Sequence, residues 1–170
     1  MTIQPRTTRI HRAQRLGGIA APPPRAGLAG FQNKLAAAIV EHDTAGPLLD
    51  AILEIMLKLP RVVGAGFVNL DADGLALANP SQYGGVVFGR GDYQTHLSQA
   101  CRSTIETQCV TAVASPDVKN LTTVCSPIGV ENPIRQVISI AVADGPNSLE
   151  TELLIPQIVA AYVVLWQLSH

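Results

Sequence analysis

Apolar positions recur first at helical and then at strand spacing along this chain. Phe31, Leu35 and Ile39 stand four residues apart within 31–41 and predict a short amphipathic helix. His42, Asp43 and Thr44 offer capping oxygens ahead of Pro47, which a first helical turn accepts because its missing N–H would have no partner there. Leu48, Leu49, Ile52, Leu53, Ile55, Met56, Leu57 and Leu59 follow, so a second helix is expected over 45–59, stopped by Pro60. From Val62 the pattern turns β-rich: 62–70 is a strand, Asp71 to Gly74 a tight turn, and Leu75 to Ala78 the returning strand. Residues 79–91 are rich in Gly, Pro, Ser and Asn, with Val86, Val87 and Phe88 as a brief strand at most.

Asp92 is placed to cap a third helix reaching Gln108, with Leu97, Ala100, Cys101 and Ile105 near one face. Strands are expected at 110–114, 121–128 and 134–142, separated by turns at 115–120 and 129–133. Asn147, Ser148 and Glu150 open a last helix with a capping-box pattern, running to Leu168. Several strands are joined by hairpin-length links. The expected fold is therefore α+β: a central, mainly antiparallel sheet of five or six strands with the N- and C-terminal helices packed on one face.

Composition narrows the class. The chain has 170 residues, 47% hydrophobic and 15% charged, which is one core rather than two and the opposite of a disordered composition. The net charge of -1 conceals an asymmetry. Arg6, Arg9, Arg12, Arg15 and Arg25 fall in the first 30 residues with no acid among them, while residues 31–170 hold 7 basic against 13 acidic residues, a formal charge of -6. The domain division follows: a basic arm over 1–30 containing Pro22-Pro23-Pro24, then one domain over 31–170. An arm of this kind also suits a transit peptide or a phosphate contact, but a solvated tail is the simpler reading. An acidic domain with 4% aromatic residues offers nucleic acid neither a field nor stacking platforms.

The element order, with certain local phrases, resembles the GAF domain, a sensory relative of the PAS fold. The phrases are Val63-Gly-Ala-Gly-Phe-Val-Asn-Leu-Asp71 as opening strand, Leu97 to Gln108 as mid-domain helix, and Val110 to Asp117 as strand and acidic turn. Val124-Cys-Ser-Pro-Ile-Gly129 and Val137-Ile-Ser-Ile-Ala-Val142 form the closing pair. The resemblance covers residues 31–168. It implies a ligand cavity on the sheet face away from the terminal helices, roofed by loops and a short helix, and lined here by Phe67, Tyr83, Val86, Phe88, Tyr93, Leu97, Cys101, Cys109 and Cys125. Arg90 and Arg102 are placed to orient an anionic group. The cyclic-nucleotide pattern of the family does not carry over, since Asn33-Lys34 lies in the first helix and no Phe-x(3)-Asp-Glu follows. No bilin-attaching cysteine motif is present, and no cofactor is expected.

One branch of the family, free methionine-(R)-sulfoxide reductase, works with three cysteines around its pocket. Cys101, Cys109 and Cys125 are the corresponding weak catalytic candidates, at spacings of 8 and 16, but the Cys-Asp phrase of that branch is absent. Free cysteines are mostly small buried apolar groups, so the expectation is a non-catalytic module. The absence of CxxC or His-x(3)-His spacing gives no metal site. Gly84 to Gly91 resembles a phosphate loop without the Lys-Ser/Thr it needs, and Asp71 and Asp73 fit a hairpin better than a calcium loop. Arg90-Gly91-Asp92 and the sequon at Asn120 require an extracellular address, whereas three unpaired cysteines suit a reducing cytoplasm. Of His11, His42, His96 and His170, only His96 stands near the expected pocket, with a surface or capping role as the simpler reading.

The last helix is apolar on nearly every side and interrupted by Pro156 and Gln157, which suits a buried or partnered helix better than a membrane span. A homodimer is expected through Leu35, Ile39, Ile158, Tyr162, Leu165 and Trp166. No output domain fits beside a domain that uses 31–168, so the expectation is that a signal passes to a separate protein or that the chain is a piece of a longer architecture. A structural accessory domain of an envelope or transport assembly is the alternative without a ligand.

Overall fold

The structure, a computed structural model, describes residues 24–70, 76–77, 83–84, 91–116, 118–129, 135–143 and 150–170. Among these, the chain runs α1 (Pro24–Glu41), α2 (Ala45–Leu57), β1 (Val62–Leu70), β2 (Ala76–Leu77), β3 (Tyr83–Gly84), α3 (Gly91–Thr107), β4 (Thr111–Ala114), β5 (Leu121–Ile128), β6 (Gln136–Ala143) and α4 (Glu150–Ser169). The sheet order is β2-β1-β6-β5-β4, with β3 also on β1, and every pairing is antiparallel. Four strands carry the sheet; β2 and β3 contribute two residues each.

Strands β1, β5 and β6 are buried nearly throughout, whereas β4 alternates between half-buried and exposed positions as an edge strand should. A strand buried at consecutive residues must be covered on both faces, because successive side chains point to opposite sides. Two separate cores result. On one face, Phe31 and Leu35 of α1, Leu48, Ile52 and Met56 of α2, and Ile155, Val159 and Val163 of α4 pack on Phe67, Val124, Ile138, Ile140 and Val142. Each such side chain contributes roughly 1.5–3 kcal/mol by leaving water. On the other face, among the described residues, α3 supplies Leu97, Ala100 and Cys101 against Val68, Leu121, Cys125, Val137 and Ala141.

The corner between α2 and β1 is tied to the end of the sheet and to α4 by one side chain. Arg61 sits at φ 69, a left-handed conformation that costs a residue with a Cβ about 1 kcal/mol or more. Its carbonyl accepts the Ala143 N–H at 2.9 Å, its Nε donates to the Ala143 carbonyl at 3.2 Å, and its guanidinium meets Glu152 Oε1 at 2.8 Å. Those bonds hold the strained backbone in place. Gly129, after β5, stands at φ 122, where any side chain would be strained.

Several sequence expectations shift. Helix α1 begins at Pro24, so residues 24–30 join the helix instead of the arm; Pro24 as first helical residue has no N–H to leave unpaired. Residues 1–23 lie outside the described residues, as do the Asp71–Gly74 turn, Val86, Val87 and the cap at Asn147 and Ser148. Thr44 occupies the N-cap of α2, but its side chain makes no capping hydrogen bond. The turn after β4 forms as expected, with the Ser115 hydroxyl accepting the Val118 N–H and the Ser115 N–H donating to the Leu121 carbonyl.

Helix α4 meets the length and composition of a membrane span, yet Glu152, Ile155, Val159, Val163 and Trp166 are buried against the chain's own core. The Trp166 indole donates to the His42 carbonyl at 2.8 Å and stacks on His170. Trp166 and Leu35, expected at a dimer contact, are packed within this chain's own core, at 9% and 0% exposed. Ile39, Ile158 and Tyr162 are half-buried beside the same core, while Leu165 is 63% exposed, together with Val40, Leu154 and Leu168.

Candidate functional site

The two sides of the sheet differ in the size of what they present. Pairing places Ala65, Ile140, Val124 and Ala112 in one cross-strand row, on the face under α1, α2 and α4. The adjacent rows point the other way, toward α3. One runs Gly66, Ser139, Cys125, Thr111, and the next Gly64, Ala141, Thr123, Val113. Two rows on the α3 side are therefore made mainly of small and weakly polar groups, flanked by Val68, Val137 and Leu121, where the opposite side is filled by bulkier aliphatics.

Helix α3 presents His96, Leu97, Ala100, Cys101 and Thr104 to this floor, all buried, at the spacings of one helical stripe. Buried polar groups need partners, and here they find one another. Thr104 Oγ1 donates to the Ala100 carbonyl at 2.9 Å and its hydroxyl meets that of Thr111. The Cys125 thiol reaches Ser139 Oγ at 3.5 Å. Cys101 and Cys125 share the apolar cluster between α3 and β5, and hydrogen bonding between their thiols is the leading influence on both titrations. The Cys101 thiol is held well above its ordinary pKa by that bond to Cys125, and burial acts in the same direction. Cys125 is lowered, first by the bond from Cys101 and further by Ser139, with burial opposing. One proton of the pair is thus loosened while the second is retained.

The structure brings together three of the pocket residues expected from sequence: Leu97, Cys101 and Cys125. Phe67 is a correction. It pairs with Ile138 and belongs to the opposite core, one residue out of phase with the α3 side. Backbone pairing sets Tyr83 opposite Gly66, so β3 borders the small-residue row. Tyr93 lies in α3, its side chain outside the described residues; Phe88 and Arg90 lie outside them altogether. Arg102 is exposed, and Cys109, beyond the end of α3, is exposed and apart from the buried pair. His96 is a second correction, being 3% exposed within the α3 stripe and neither a surface nor a capping group. Ser139, Thr104, Thr111 and Thr123 were not expected; a serine alternating with Val137 and Ala141 in β6, and a threonine three residues after Cys101, were their only signals. Among the described residues, no three His, Cys, Asp or Glu side chains group closely enough to hold a metal.

Among the described residues, three helices lie on one face of an antiparallel sheet and one helix on the other, an α+β architecture. The solved structures it superposes on identify that architecture as the GAF fold. The GAF domain of A. aeolicus nlh2 matches with a TM-score of 0.65 at 10% identity, over 87% of this chain and 100% of that one. The free methionine-R-sulfoxide reductase of Neisseria meningitidis, solved in complex with its substrate, matches with a TM-score of 0.64 at 13% identity, over 89% and 97%. The reduced form of the Staphylococcus aureus enzyme gives 0.57 at 15% identity, over 80% and 94%. No family model matches the chain, and neither does any curated protein. At these identities the likeness establishes the fold, and it embraces both a GAF domain and reductases.

Proposed function

We propose that this chain is a non-catalytic regulatory module that takes a small ligand between α3 and the sheet and signals to a separate cytoplasmic protein as a homodimer. The observation that carries the reading is the paired rows Gly66-Ser139-Cys125-Thr111 and Gly64-Ala141-Thr123-Val113, a floor of small and hydroxyl-bearing side chains beneath one helix. A mostly apolar surface with few polar groups and no fixed charge suits a compact, weakly polar ligand. Native mass spectrometry of protein purified from its own cells tests this directly, reporting bound mass and stoichiometry together. A bare monomer under these conditions would remove both parts of the proposal.

The dimer is supported by the outward side of α4. Leu154, Ile158, Ala161, Leu165 and Leu168 follow one another at intervals of four, three, four and three, the spacing of a coiled-coil seam, and none is fully buried. Two such seams would cover each other. A reductase of the free methionine-(R)-sulfoxide type is the second reading, favoured by the contact between two thiols. It meets an obstacle in their burial, since both are 0% exposed and a thiol nucleophile must reach its substrate. Turnover of free methionine-(R)-sulfoxide that disappears on replacing Cys101 or Cys125 by alanine would install the enzyme reading in place of the regulatory one.

A further inference from the structure

Strand β4 ends the sheet, with β5 on one side and no described strand on the other. Which of its backbone groups face the open side follows from one hydrogen bond. The Ser115 N–H donates to the Leu121 carbonyl at 2.8 Å, and the same register sets Val113 opposite Thr123 and Thr111 opposite Cys125. Hydrogen-bonded and non-hydrogen-bonded positions alternate along an antiparallel pair. Thr111, Val113 and Ser115 therefore direct their N–H and C=O groups to β5, while Ala112 and Ala114 turn theirs to the edge. Both alanines are exposed.

An open edge invites another strand unless a charge, a proline or a bulge blunts it. Residues 108–115, Gln-Cys-Val-Thr-Ala-Val-Ala-Ser, hold no charge and no proline, and the pairing of β4 with β5 runs without a register shift. The stretch Thr111-Ala-Val-Ala-Ser115 also reads nearly the same in both directions. We propose that β4 is the strand through which two copies of this chain join, pairing antiparallel with itself about a two-fold axis at Val113. The pairing rests on the homodimer reading and specifies its contact. Ala112 meets Ala114 of the second copy, and Ala114 its Ala112, each pair exchanging two backbone hydrogen bonds. Val113 stands opposite Val113 at a closely spaced position where β-branched side chains pack well, and Thr111 stands opposite Ser115. Like meets like, as an isologous contact requires. Residues 31–170 hold 7 basic and 13 acidic residues, so two copies repel, and a neutral edge is where approach costs least. The axis is perpendicular to the sheet and keeps both α4 helices on one face. Because α4 packs on β5, one strand in from the edge, the two helices lie over strands about 14 Å apart. The strand pairing and the outer side of α4 can then share one axis.

The test places lysine at both alanines, whose exposed side chains point to solvent in a lone copy. Light scattering of the full chain should give a dimer for the parent and half that mass for Ala112→Lys with Ala114→Lys, because each new ammonium faces another. Ala112→Glu with Ala114→Glu should behave likewise, and mixing the two variants should restore a heterodimer of distinct native mass. Hydrogen exchange reads the contact in the unsubstituted chain, should either variant fold poorly: the Ala112 and Ala114 amides should exchange roughly tenfold or more slowly in concentrated than in dilute protein. A folded lysine variant that keeps the dimer mass, or edge amides that exchange freely in the dimer, would overturn the β4 pairing and leave the homodimer reading standing. A parent that is monomeric at every concentration removes both. Protection of these amides only in complex with a different protein would give the edge to that protein and overturn the pairing as well.

Discussion

The Arg61–Glu152 pair offers a test in which the two partners should behave unequally. Glu152 has 9% of its side chain exposed and Arg61 27%, and among the described residues Glu152 Oε2 has no hydrogen-bond partner, so the carboxylate depends on the guanidinium. Removing one member of a buried pair costs about 3–5 kcal/mol when the remaining charge cannot reach water. Arg61→Met leaves Glu152 in that position, though beside a partly open side chain, so the expected loss is about 2–3 kcal/mol. Met retains a Cβ, and the left-handed backbone cost at φ 69 is therefore the same before and after. Glu152→Gln keeps an acceptor for Arg61, whose own exposure lets it turn to solvent; here the loss should be about 1 kcal/mol. Replacing both by Met should return stability to within about 1 kcal/mol of the parent. Urea unfolding followed through Trp166, the only tryptophan of the chain, measures all three variants at constant m-value. A larger loss for Glu152→Gln than for Arg61→Met, or a double variant whose loss equals the sum of the singles, would refute the argument.

Further outcomes follow from the same geometry. A thiol reagent added to native protein should titrate Cys109 at once and Cys101 and Cys125 only on unfolding, so two fast thiols would contradict their burial. Trp166→Phe should cost about 1 kcal/mol or more from the lost bond to the His42 carbonyl, read by thermal unfolding with circular dichroism. Under the proposed pairing through α4, Leu165→Glu combined with Leu168→Glu should halve the mass found by light scattering while hardly moving the unfolding midpoint, since both side chains are exposed; a mass left unchanged would refute that pairing. Gly129→Ala should destabilise by about 1–3 kcal/mol through backbone strain alone.

The sequence was legible where burial is one-sided and obscure where it is not. Leu48, Ile52, Leu53 and Met56 sit at helical intervals and all are buried, so α2 could be read directly. Strand order along the chain was equally plain, because β-branched runs alternate with turn residues. The phase of a strand covered on both faces is not written in alternating hydrophobicity, and Phe67 was assigned to the wrong side for that reason. Gly64 and Gly66, a small residue at every second position, were the available clue to which face is which. Pro24 to Gly30 offered too few large side chains and too much glycine to signal helix, although the structure continues α1 through them. Cys101, Leu97 and Cys125 were found, but their hydroxyl neighbours were not, since nothing local distinguishes a threonine that meets a thiol from one that faces water.

The inequality of the two cores also bears on how the molecule breathes. Helix α3 is held to the sheet by His96, Leu97, Ala100, Cys101 and Thr104 with Ile105 half-buried beside them, a single helix, whereas β1, β5 and β6 are clamped by three helices on their other side. Amide hydrogens in α3 should therefore exchange with deuterium through a partial opening that leaves the rest folded, and those of the central strands only when the whole domain unfolds. The element lying over the candidate site then opens ahead of the central strands, which is what the proposed entry of a ligand beneath it would require.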